Sequence, residues 1–289
     1  MATSNAASVL YDQLQAEVAD NPHGLPTDLY DCLSGYYTSL KNNVQLRPFY
    51  RYNWMRRIGP MQSLLDSLPP RESAWRILDA GCGVGTESIL WALARDDTEV
   101  TGVDISRERL DVAEARRSIY QRLLRHALTV AFLREDVFRV LRKRDFDIVW
   151  TMEALSHIHP AEEFLAAVFD SLASRGSLVI SDSHILNPAM AWRVLRMRSQ
   201  GIKAHGHKVT ASGETIPYAQ ERLFTVGQLR SKLRQAGFSS VQAQLSVFFP
   251  PSLARVPWLF PVGPRIDLIL NRIPLLRNIG GIYTVVASK

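Results

Sequence analysis

The sequence has few cysteines and no long apolar run. Only two cysteines, Cys32 and Cys82, occur in the 289 residues, and neither lies at the Cys and His spacing of a metal site. This excludes a disulfide framework. No run of about 18 residues is apolar and free of charge, which argues against a transmembrane helix. The N-terminal residues lack the basic flank and apolar segment of a secretory signal, so we expect a cytosolic protein with reduced thiols.

Acidic residues are scarce in the C-terminal third of the chain. The whole chain has a formal net charge of +6, but from residue 183 onward 14 Lys and Arg residues face only Glu214, Glu221 and Asp267. The plain interpretation of this excess is a solvated surface. The sharper one is attraction for an anionic acceptor or an anionic membrane surface.

Apolar residues, prolines and arginines together fill the segment from residue 248 to residue 272. This composition is unusual for a connection between strands. Three interpretations remain open, namely a lid over an apolar pocket, an interfacial membrane anchor, and a contact between subunits of a homo-oligomer. In each case the segment adds apolar surface to the basic third of the chain.

The most informative stretch is a short apolar run that ends in an acid and three alternating glycines. Residues 75–80 have the length and apolar character of a buried strand, and residues 86–94 begin like a capped helix. Gly81, Gly83 and Gly85 therefore fall in a strand-to-helix turn. Without Cβ atoms they can adopt positive φ angles and let a ligand approach the amides of a helix N-terminus closely.

Strand-like and helix-like segments alternate after this turn. The strands predicted up to residue 182 are 75–80, 98–104, 128–133, 146–150 and 177–182. Such alternation indicates an α/β fold with a doubly wound, mostly parallel sheet, whose ligand crevice lies at the carboxyl ends of the strands. Later strands are predicted at 240–248 and 282–287, which makes seven in all.

Four of these predicted strands end in or near an acid. The acids are Asp79, Asp104, Asp136 and Asp182. A ring of carboxylates at one sheet edge is poorly suited to a polyphosphate and suits a hydroxylated, cationic ligand. Asp104 also lies 19 residues beyond Gly85, an interval that fits a βαβ unit whose second acid binds ribose hydroxyls.

A nicotinamide-binding turn is the competing interpretation of the glycines. That motif requires glycine at the third position of Gly-x-Gly-x-x-Gly, and this chain has Thr86 there. The acids at the strand ends also disfavour a pyrophosphate. We therefore do not predict a dehydrogenase.

The stretch from Leu78 to Gly85, with Asp104, Asp136 and the segment after the fourth strand, resembles the class I S-adenosylmethionine-dependent methyltransferases. The resemblance covers roughly residues 75–245 and the last strand. It implies a Rossmann-like seven-stranded sheet and S-adenosylmethionine as the cofactor. Glu153 and His157 give it some likeness to sterol and other carbon-methylating members.

The resemblance also implies which residues bind the cofactor. Asp79 and the glycine turn would address the methionine part, Asp104 the ribose, and Asp136 with Val137 the adenine, while Met152 would flank the methionine tail. The residues predicted to bind the cofactor are Asp79, Gly81, Gly83, Gly85, Asp104, Asp136, Val137 and Met152.

Three segments are predicted around this cofactor site. Residues 1–74 form an N-terminal helical extension, residues 75–184 and 225–289 form the methyltransferase domain, and residues 185–224 form an inserted cap without a clear strand. The extension contains a basic and aromatic block near residues 47–57, a composition also found on nucleic-acid surfaces. Its plainer interpretation is an amphipathic helix that docks on the main domain.

Glu153 and His157 are the predicted catalytic residues. Four positions apart, they would share a face if their segment is helical. A carboxylate base suits methylation of an alkene carbon, whereas His157 could deprotonate a hydroxyl or an amine in O- or N-methylation. A third interpretation is a subunit that binds the cofactor without catalysis.

The predicted acceptor is a small apolar or amphipathic molecule, with an anionic group as an option. An isoprenoid, a lipid and a natural-product intermediate all fit the basic and apolar C-terminal third. A nucleic-acid substrate is disfavoured, because the segment after the fourth strand reads Thr-Met-Glu-Ala rather than Asn/Asp-Pro-Pro-Tyr/Phe. No metal is predicted, since His184, His205 and His207 lack carboxylate or cysteine partners at metal spacing.

Overall fold

The chain folds around one seven-stranded sheet with helices on both faces. The computed structural model describes residues 3–125, 127–143, 145–209, 215–249, 251, 255–256, 258, 260–273 and 276–289. The strands, in chain order, are β1 Trp75–Ala80, β2 Thr98–Asp104, β3 Val130–Arg134, β4 Phe146–Met152, β5 Leu172–Ser183, β6 His205–Val209, β7 Thr215–Ala219, β8 Ser240–Ser246 and β9 Ile282–Ser288. The helices are α1 Thr3–Asp20, α2 Thr27–Tyr36, α3 Thr38–Asn42, α4 Arg47–Ser67, α5 Thr86–Ala94, α6 Arg107–Leu124, α7 Val137–Leu141, α8 Ala161–Ser171, α9 Pro188–Ser199, α10 Val226–Gln235 and α11 Gly263–Leu270.

The large sheet has the strand order β3-β2-β1-β4-β5-β9-β8. Only β9 runs antiparallel to its neighbours in this sheet. The predicted mostly parallel seven-stranded sheet is therefore confirmed. The strand order reverses between β1 and β4, the point at which ligands bind in open α/β sheets.

Apolar side chains on alternate residues of the strands fill a core on each face. Ile77 and Trp150 pack with α1, α4 and α5 on one face, and Leu78 and Val149 pack with α8 and α10 on the other. This arrangement explains the continuous apolar runs of the strands, because a parallel sheet covered on both faces has no solvated side.

Residues 3–67 are mostly helical, as predicted, and share the core of the sheet. Leu10, Leu14, Ile58 and Met61 are fully or almost fully buried in the same cluster as the strand residues. The basic and aromatic block lies in α4, where Trp54 is buried and donates a hydrogen bond to Glu87 on α5, at 2.7 Å. The helix docks on the sheet, as its plainer interpretation expects, and Trp54 and Arg57 of the same block also line a cavity. The division of the chain into domains stays a prediction.

Two predicted segments differ from the structure. The cap at 185–224, expected to lack strands, contains α9 and the antiparallel hairpin β6–β7. Its strands escaped prediction because residues 205–209 lack apolar alternation and Pro217 argues against a strand, although an isolated hairpin tolerates proline at an edge. The fifth strand begins at Leu172, which pairs with Phe146, rather than at 177. The register of the pairing shifts after this first pair, near Arg175, whose φ is 65°.

No helix among the described ranges is long and apolar enough to cross a membrane. The apolar segment after residue 248 contains α11 and short helical turns, and part of it lies outside the described residues. Asp267 on α11 is buried and accepts hydrogen bonds from the amides of Val247 and Phe248, both at 2.7 Å. These bonds attach α11 to the end of β8.

Candidate active site

The glycine turn follows β1 in the predicted position. The amides of Gly81 and Cys82 donate to the carbonyl of Val103 at 2.8 and 3.0 Å, which joins the turn to the end of β2. The φ angles of Gly81, Gly83 and Gly85 are 81°, 55° and 76°. The prediction that these glycines adopt positive φ is confirmed.

The space around the turn excludes side chains at these positions. A Cβ at Gly81 would lie 2.5 Å from the Cβ of Ala154, and a Cβ at Gly83 would lie 2.7 Å from the hydroxyl of Tyr36 on α2. Gly85 faces Phe132 in the same way, at 2.7 Å. The turn is therefore closely covered by the N-terminal helices and by the segment after β4.

Arg116 on α6 connects the turn to the first helix. Its buried guanidinium donates to the carbonyl of Val84 at 2.9 Å and to the hydroxyl of Thr86 at 2.7 Å. The same group forms an ion pair with buried Glu17 of α1 at 2.9 Å. Removing one partner of a buried pair typically costs about 3–5 kcal/mol, so this contact makes α1 part of the support of the turn.

Asp79, at the end of β1, is buried behind the turn. Ser88 on α5 donates a hydrogen bond to its carboxyl group at 2.6 Å. Burial, and next the neighbouring charge of Glu87, raises the pKa of Asp79 to about 8. A cationic ligand group near this carboxyl would favour its ionised form.

Asp104 joins the ends of two loops. One carboxyl oxygen accepts from the amide of Gly83 at 3.0 Å, and the other accepts from the amide of Ser106 at 2.8 Å. The side chain is thus fixed between the glycine turn and the start of α6. Each oxygen retains a second lone pair, so the predicted contact with ribose hydroxyls is compatible with this arrangement.

Asp136 and Val137 lie at the start of α7. The carboxyl group of Asp136 caps this helix by accepting from the amide of Phe138 at 2.9 Å, and Val137 is the first helical residue. Met152 ends β4. All three residues line one cavity together with Asp79, Gly81 and Asp104.

Glu153 turns the chain out of β4. Its φ is 51°, and its amide donates to the carbonyl of Ser181 at 2.9 Å. The carboxylate forms an ion pair with Arg57 of α4 at 2.8 Å, while its side chain stays 57% exposed. The predicted common helical face with His157 is wrong, because Glu153 is left-handed and only residues 155–157 form one 3₁₀ turn.

His157 is held by the hairpin of the inserted cap. Its Nδ1 lies 3.0 Å from the hydroxyl of Tyr218 and 3.3 Å from the carbonyl of Ala219, and the two rings stack at 5.4 Å. A carbonyl oxygen can only accept, so the tautomer with hydrogen on Nδ1 satisfies this contact. In that tautomer Nε2 has no hydrogen and is the basic atom.

These residues surround a cavity of about 1080 Å³. One side, which we name the sheet wall, is formed by Asp79, Gly81, Asp104, Asp136 and Val137. A second group of lining residues, which we name the assembled wall, consists of Arg57, Glu153, His157, Arg193 and Tyr218. The cavity brings the predicted cofactor and catalytic residues together, except for Gly83 and Gly85, which contact Tyr36 and Phe132 instead.

Several residues of this cavity were not predicted. Arg57 and Tyr36 belong to the N-terminal extension, whose aromatic and basic composition was the available signal. Tyr218 had no such signal, because its proximity to His157 depends on the unpredicted hairpin. Asp182, seen only as an acid at a strand end, accepts the amide of Ser156 at 3.0 Å and thereby fixes the loop that carries His157.

The charges of the cavity are mixed. Burial raises the pKa of Asp182 to about 6, although the amides of Ser183 and Ser156 oppose the shift. Arg57 and Arg193 bring positive charge to the assembled wall. Within the described part of the chain, no three His, Cys, Asp or Glu side chains come together as metal ligands.

A family model described as a methyltransferase domain matches residues 78–178. A ubiquinone biosynthesis O-methyltransferase of Psychrobacter arcticus is 29% identical over 141 residues, which are 47% of this chain and 53% of that protein. The 27-O-demethylrifamycin SV methyltransferase of Amycolatopsis mediterranei is 26% identical over 190 residues, 65% of this chain and 63% of that protein.

Solved structures share the fold at low identity. The structure of an S-adenosylmethionine-dependent methyltransferase from Thermotoga maritima has a TM-score of 0.52 and 13% identity, with 90% of this chain and 98% of that chain covered. The chain spans only about half of the length of the first curated relatives that it matches. The likeness therefore concerns the fold and the domain that contains the glycine turn.

Proposed function

We propose that this chain, a member of the class I S-adenosylmethionine-dependent methyltransferase superfamily, transfers a methyl group to a small apolar or amphipathic acceptor. One observation carries the proposal. The glycine turn, the acids at the strand ends and the pair Glu153 and His157 all border the same cavity of about 1080 Å³. A cofactor bound at the sheet wall would face an acceptor at the assembled wall.

The residues of the sheet wall fit S-adenosylmethionine. Gly81, which has no side chain, lines the cavity, and the carboxyl groups of Asp79 and Asp104 suit a ligand with a positive charge and ribose hydroxyls. Asp136 and Val137 would address the adenine, and Met152 the methionine tail. When bound, this cofactor would supply an already activated methyl group.

The chain then has to place the acceptor and to accept its proton. Positioning alone can supply roughly 7–11 kcal/mol of a reaction barrier. We assign proton removal to Nε2 of His157, because the contact of Nδ1 with the carbonyl of Ala219 favours the tautomer in which Nε2 is basic. A basic Nε2 suits a hydroxyl or an amine acceptor, and we rank O-methylation of a hydroxyl group first because the two relatives described above carry O-methyltransferase or O-demethyl names.

Carbon methylation with Glu153 as the base is the second candidate. Its side chain projects into the cavity from a left-handed residue, a strained conformation that often marks functional sites. The carboxylate is already paired with Arg57 at 2.8 Å, so this ion pair would have to open before Glu153 could accept a proton. We therefore rank this chemistry below the O-methylation.

The charged and aromatic groups of the cavity indicate which kind of acceptor would fit it. Tyr36, Tyr50 and Trp54 provide apolar surface, and Arg57 with Arg193 provides positive charge. This combination suits an aromatic or isoprenoid acceptor with an anionic group. Nucleic acid stays disfavoured as the acceptor, because the segment after the fourth strand reads Thr-Met-Glu-Ala.

The test is incubation with methyl-labelled S-adenosylmethionine and a panel of phenols, catechols, prenyl diphosphates, sterols and amines, followed by mass spectrometry of the products. O-methylated phenols would support the first candidate, and methylation at carbon the second. Labelling of RNA or protein alone would contradict both. Cofactor binding without any turnover would indicate a non-catalytic binding subunit, and unchanged binding in Asp104→Ala would contradict the cofactor site itself.

A further inference from the structure

Helix α9 leaves all of its side chains at least partly exposed. None of its residues is buried, and Trp192 and Leu195 are 61% and 68% exposed. Its start is nevertheless well defined, since Asn187 caps it by accepting the amides of Ala189 and Met190. A capped helix that presents tryptophan and leucine to solvent has apolar surface without an intramolecular partner.

A second exposed apolar surface lies on and around α11. Trp258 is 74% exposed, and Leu268 and Ile269 are each 59% exposed. Asp267, the acid of this helix, points inward and holds the amides of Val247 and Phe248. The outward side of α11 is therefore apolar and basic only.

Hydrogen bonds bring the start of α9 and the attachment of α11 close to each other, at the end of β8 and the start of β9. The side chain of Asn187, at the start of α9, donates to the carbonyl of Ile279 at 3.1 Å. The amide of Gly281, two residues later, donates to the carbonyl of Val247 at 3.0 Å, beside the attachment of α11. We name these two exposed surfaces together the apolar rim, and its residues are Leu186, Trp192, Leu195, Trp258, Leu268 and Ile269.

The charges around the apolar rim have one sign. Arg196 lies over the ring of Trp192 at 5.5 Å, and Arg265 and Arg272 are exposed near α11. Among the described residues none of these three arginines takes part in an ion pair with an acid. A second copy of this chain would bring the same cations to the contact, so self-association is disfavoured. A surface of anionic lipid offers both the apolar phase and the opposite charge.

We propose that the apolar rim binds the surface of an anionic lipid bilayer. Tryptophan and leucine would enter the boundary between headgroups and acyl chains, while the arginines contact the headgroups. This contact goes beyond the proposed methyl transfer and does not depend on it. Arg193 lies on the same helix and lines the cavity, so the bilayer would also lie close to the cavity.

Vesicle flotation tests the proposal with the full chain. We expect the protein to float with vesicles of phosphatidylcholine that contain about one third phosphatidylglycerol, and to float much less with phosphatidylcholine alone. High salt should weaken the binding, because it screens charges at the surface. Equal binding to both kinds of vesicle, or no binding to either, would overturn the proposal.

Matched variants distinguish vesicle binding through the apolar rim from non-specific binding through any exposed apolar side chain. Trp192→Ala with Leu195→Ala keeps good helix formers, and Trp258→Ala tests the second surface. We expect each variant to lower the bound fraction about fivefold or more. The control is Leu123→Ala with Leu124→Ala, at the end of α6, where the side chains are 52% and 41% exposed. Full binding by the rim variants, or an equal loss in the control, would contradict the proposal.

Two further measurements keep this result distinct from the proposed function. Calorimetry with S-adenosylmethionine should give the same affinity for the rim variants and the unmodified protein, so lost flotation would not reflect unfolding or a lost cofactor site. Sedimentation should show that the rim variants leave the oligomeric state unchanged. A dimer that only the rim variants dissociate would assign the rim to a second copy and overturn the bilayer contact.

Discussion

The sheet wall of the cavity is formed by the ends of neighbouring strands, whereas the assembled wall combines α4, the segment after β4, α9 and the hairpin. In the sheet wall, Asp104 accepts backbone amides of both adjoining loops, so its position follows directly from the sheet. In the assembled wall, Arg57 reaches Glu153, and Tyr218 reaches His157, through side-chain contacts between residues far apart in the sequence. Cofactor binding and acceptor chemistry should therefore respond to different substitutions.

The largest expected effect is a loss of kcat on substitution of His157, which should affect the assembled wall and not the sheet wall. His157→Ala should lower kcat by about 10²–10⁴, because general-base catalysis is lost, while the affinity for S-adenosylmethionine stays the same. Steady-state kinetics and calorimetry measure the two quantities. The exposed residue His207 on β6 provides the control, as His207→Ala should retain full kcat. An unchanged kcat in His157→Ala would assign the proton to another group, and loss in Glu153→Gln would then favour carbon methylation.

The complementary change is in the sheet wall. Asp104→Ala should weaken cofactor binding by about 1.5–3 kcal/mol, the usual cost of losing hydrogen bonds to a charged group. Calorimetric titration gives this value directly. Asp111→Ala on α6 is the matched control, since its carboxylate is exposed and pairs only loosely with Arg107 at 3.6 Å. Equal affinities for the two variants would show that the carboxylate of Asp104 does not reach the cofactor.

A smaller effect is expected where the hairpin supports His157. Tyr218→Phe keeps the stacked ring and removes the hydroxyl group near Nδ1. Loss of one hydrogen bond of about 0.5–1.5 kcal/mol should reduce kcat two- to twelvefold and shift the pH profile of kcat. The pH profile distinguishes an effect on the imidazole from a merely structural one. A lower affinity for the cofactor with unchanged kcat would connect Tyr218 to the sheet wall instead.

The last expected effect concerns stability rather than function, at Asp79. The folded chain keeps this carboxyl protonated up to a pKa of about 8, whereas in the unfolded chain it ionises near its ordinary value. The unfolded state therefore binds fewer protons between these values, and stability falls as pH rises through them. Asp79→Asn should remove this contribution. Between pH 5 and pH 8 the unfolding temperature of the variant should therefore fall less than that of the unmodified protein, by roughly 2–4 °C for each kcal/mol of unfolding free energy.

Scanning calorimetry at both pH values, without cofactor, measures this difference. The same variant should bind S-adenosylmethionine more weakly, because it cannot ionise beside a cationic ligand. Parallel pH curves for Asp79→Asn and the unmodified protein would show that Asp79 does not titrate in this range. The result would then remove Asp79 as the link between cofactor charge and stability.

The sequence predicted the sheet wall because each of its parts is local. Alternating glycines demand positive φ, and an acid at a strand end must lie at the carboxyl edge of a parallel sheet. Spacing along the chain is then enough to place Asp79, Asp104 and Asp136 near one another. Their contacts with the cofactor stay predictions.

The assembled wall could not be predicted in the same way. The left-handed φ of Glu153 allows its amide to donate a hydrogen bond to the carbonyl of Ser181, and nothing in the local sequence predicts this turn. The hairpin that carries Tyr218 lacks an alternating pattern and contains Pro217. Contacts between residues 57 and 153, or 157 and 218, depend on tertiary packing rather than on spacing.

The buried pair of Glu17 and Arg116 extends the influence of the glycine turn to the start of the chain. Because Arg116 also holds the carbonyl of Val84, the first helix and the turn belong to one cooperative unit. During synthesis on the ribosome α1 emerges long before α6, so Glu17 has no ion-pair partner until Arg116 has been made. Under the proposed function, the affinity for cofactor would therefore depend on whether the N-terminal helix has completed its docking.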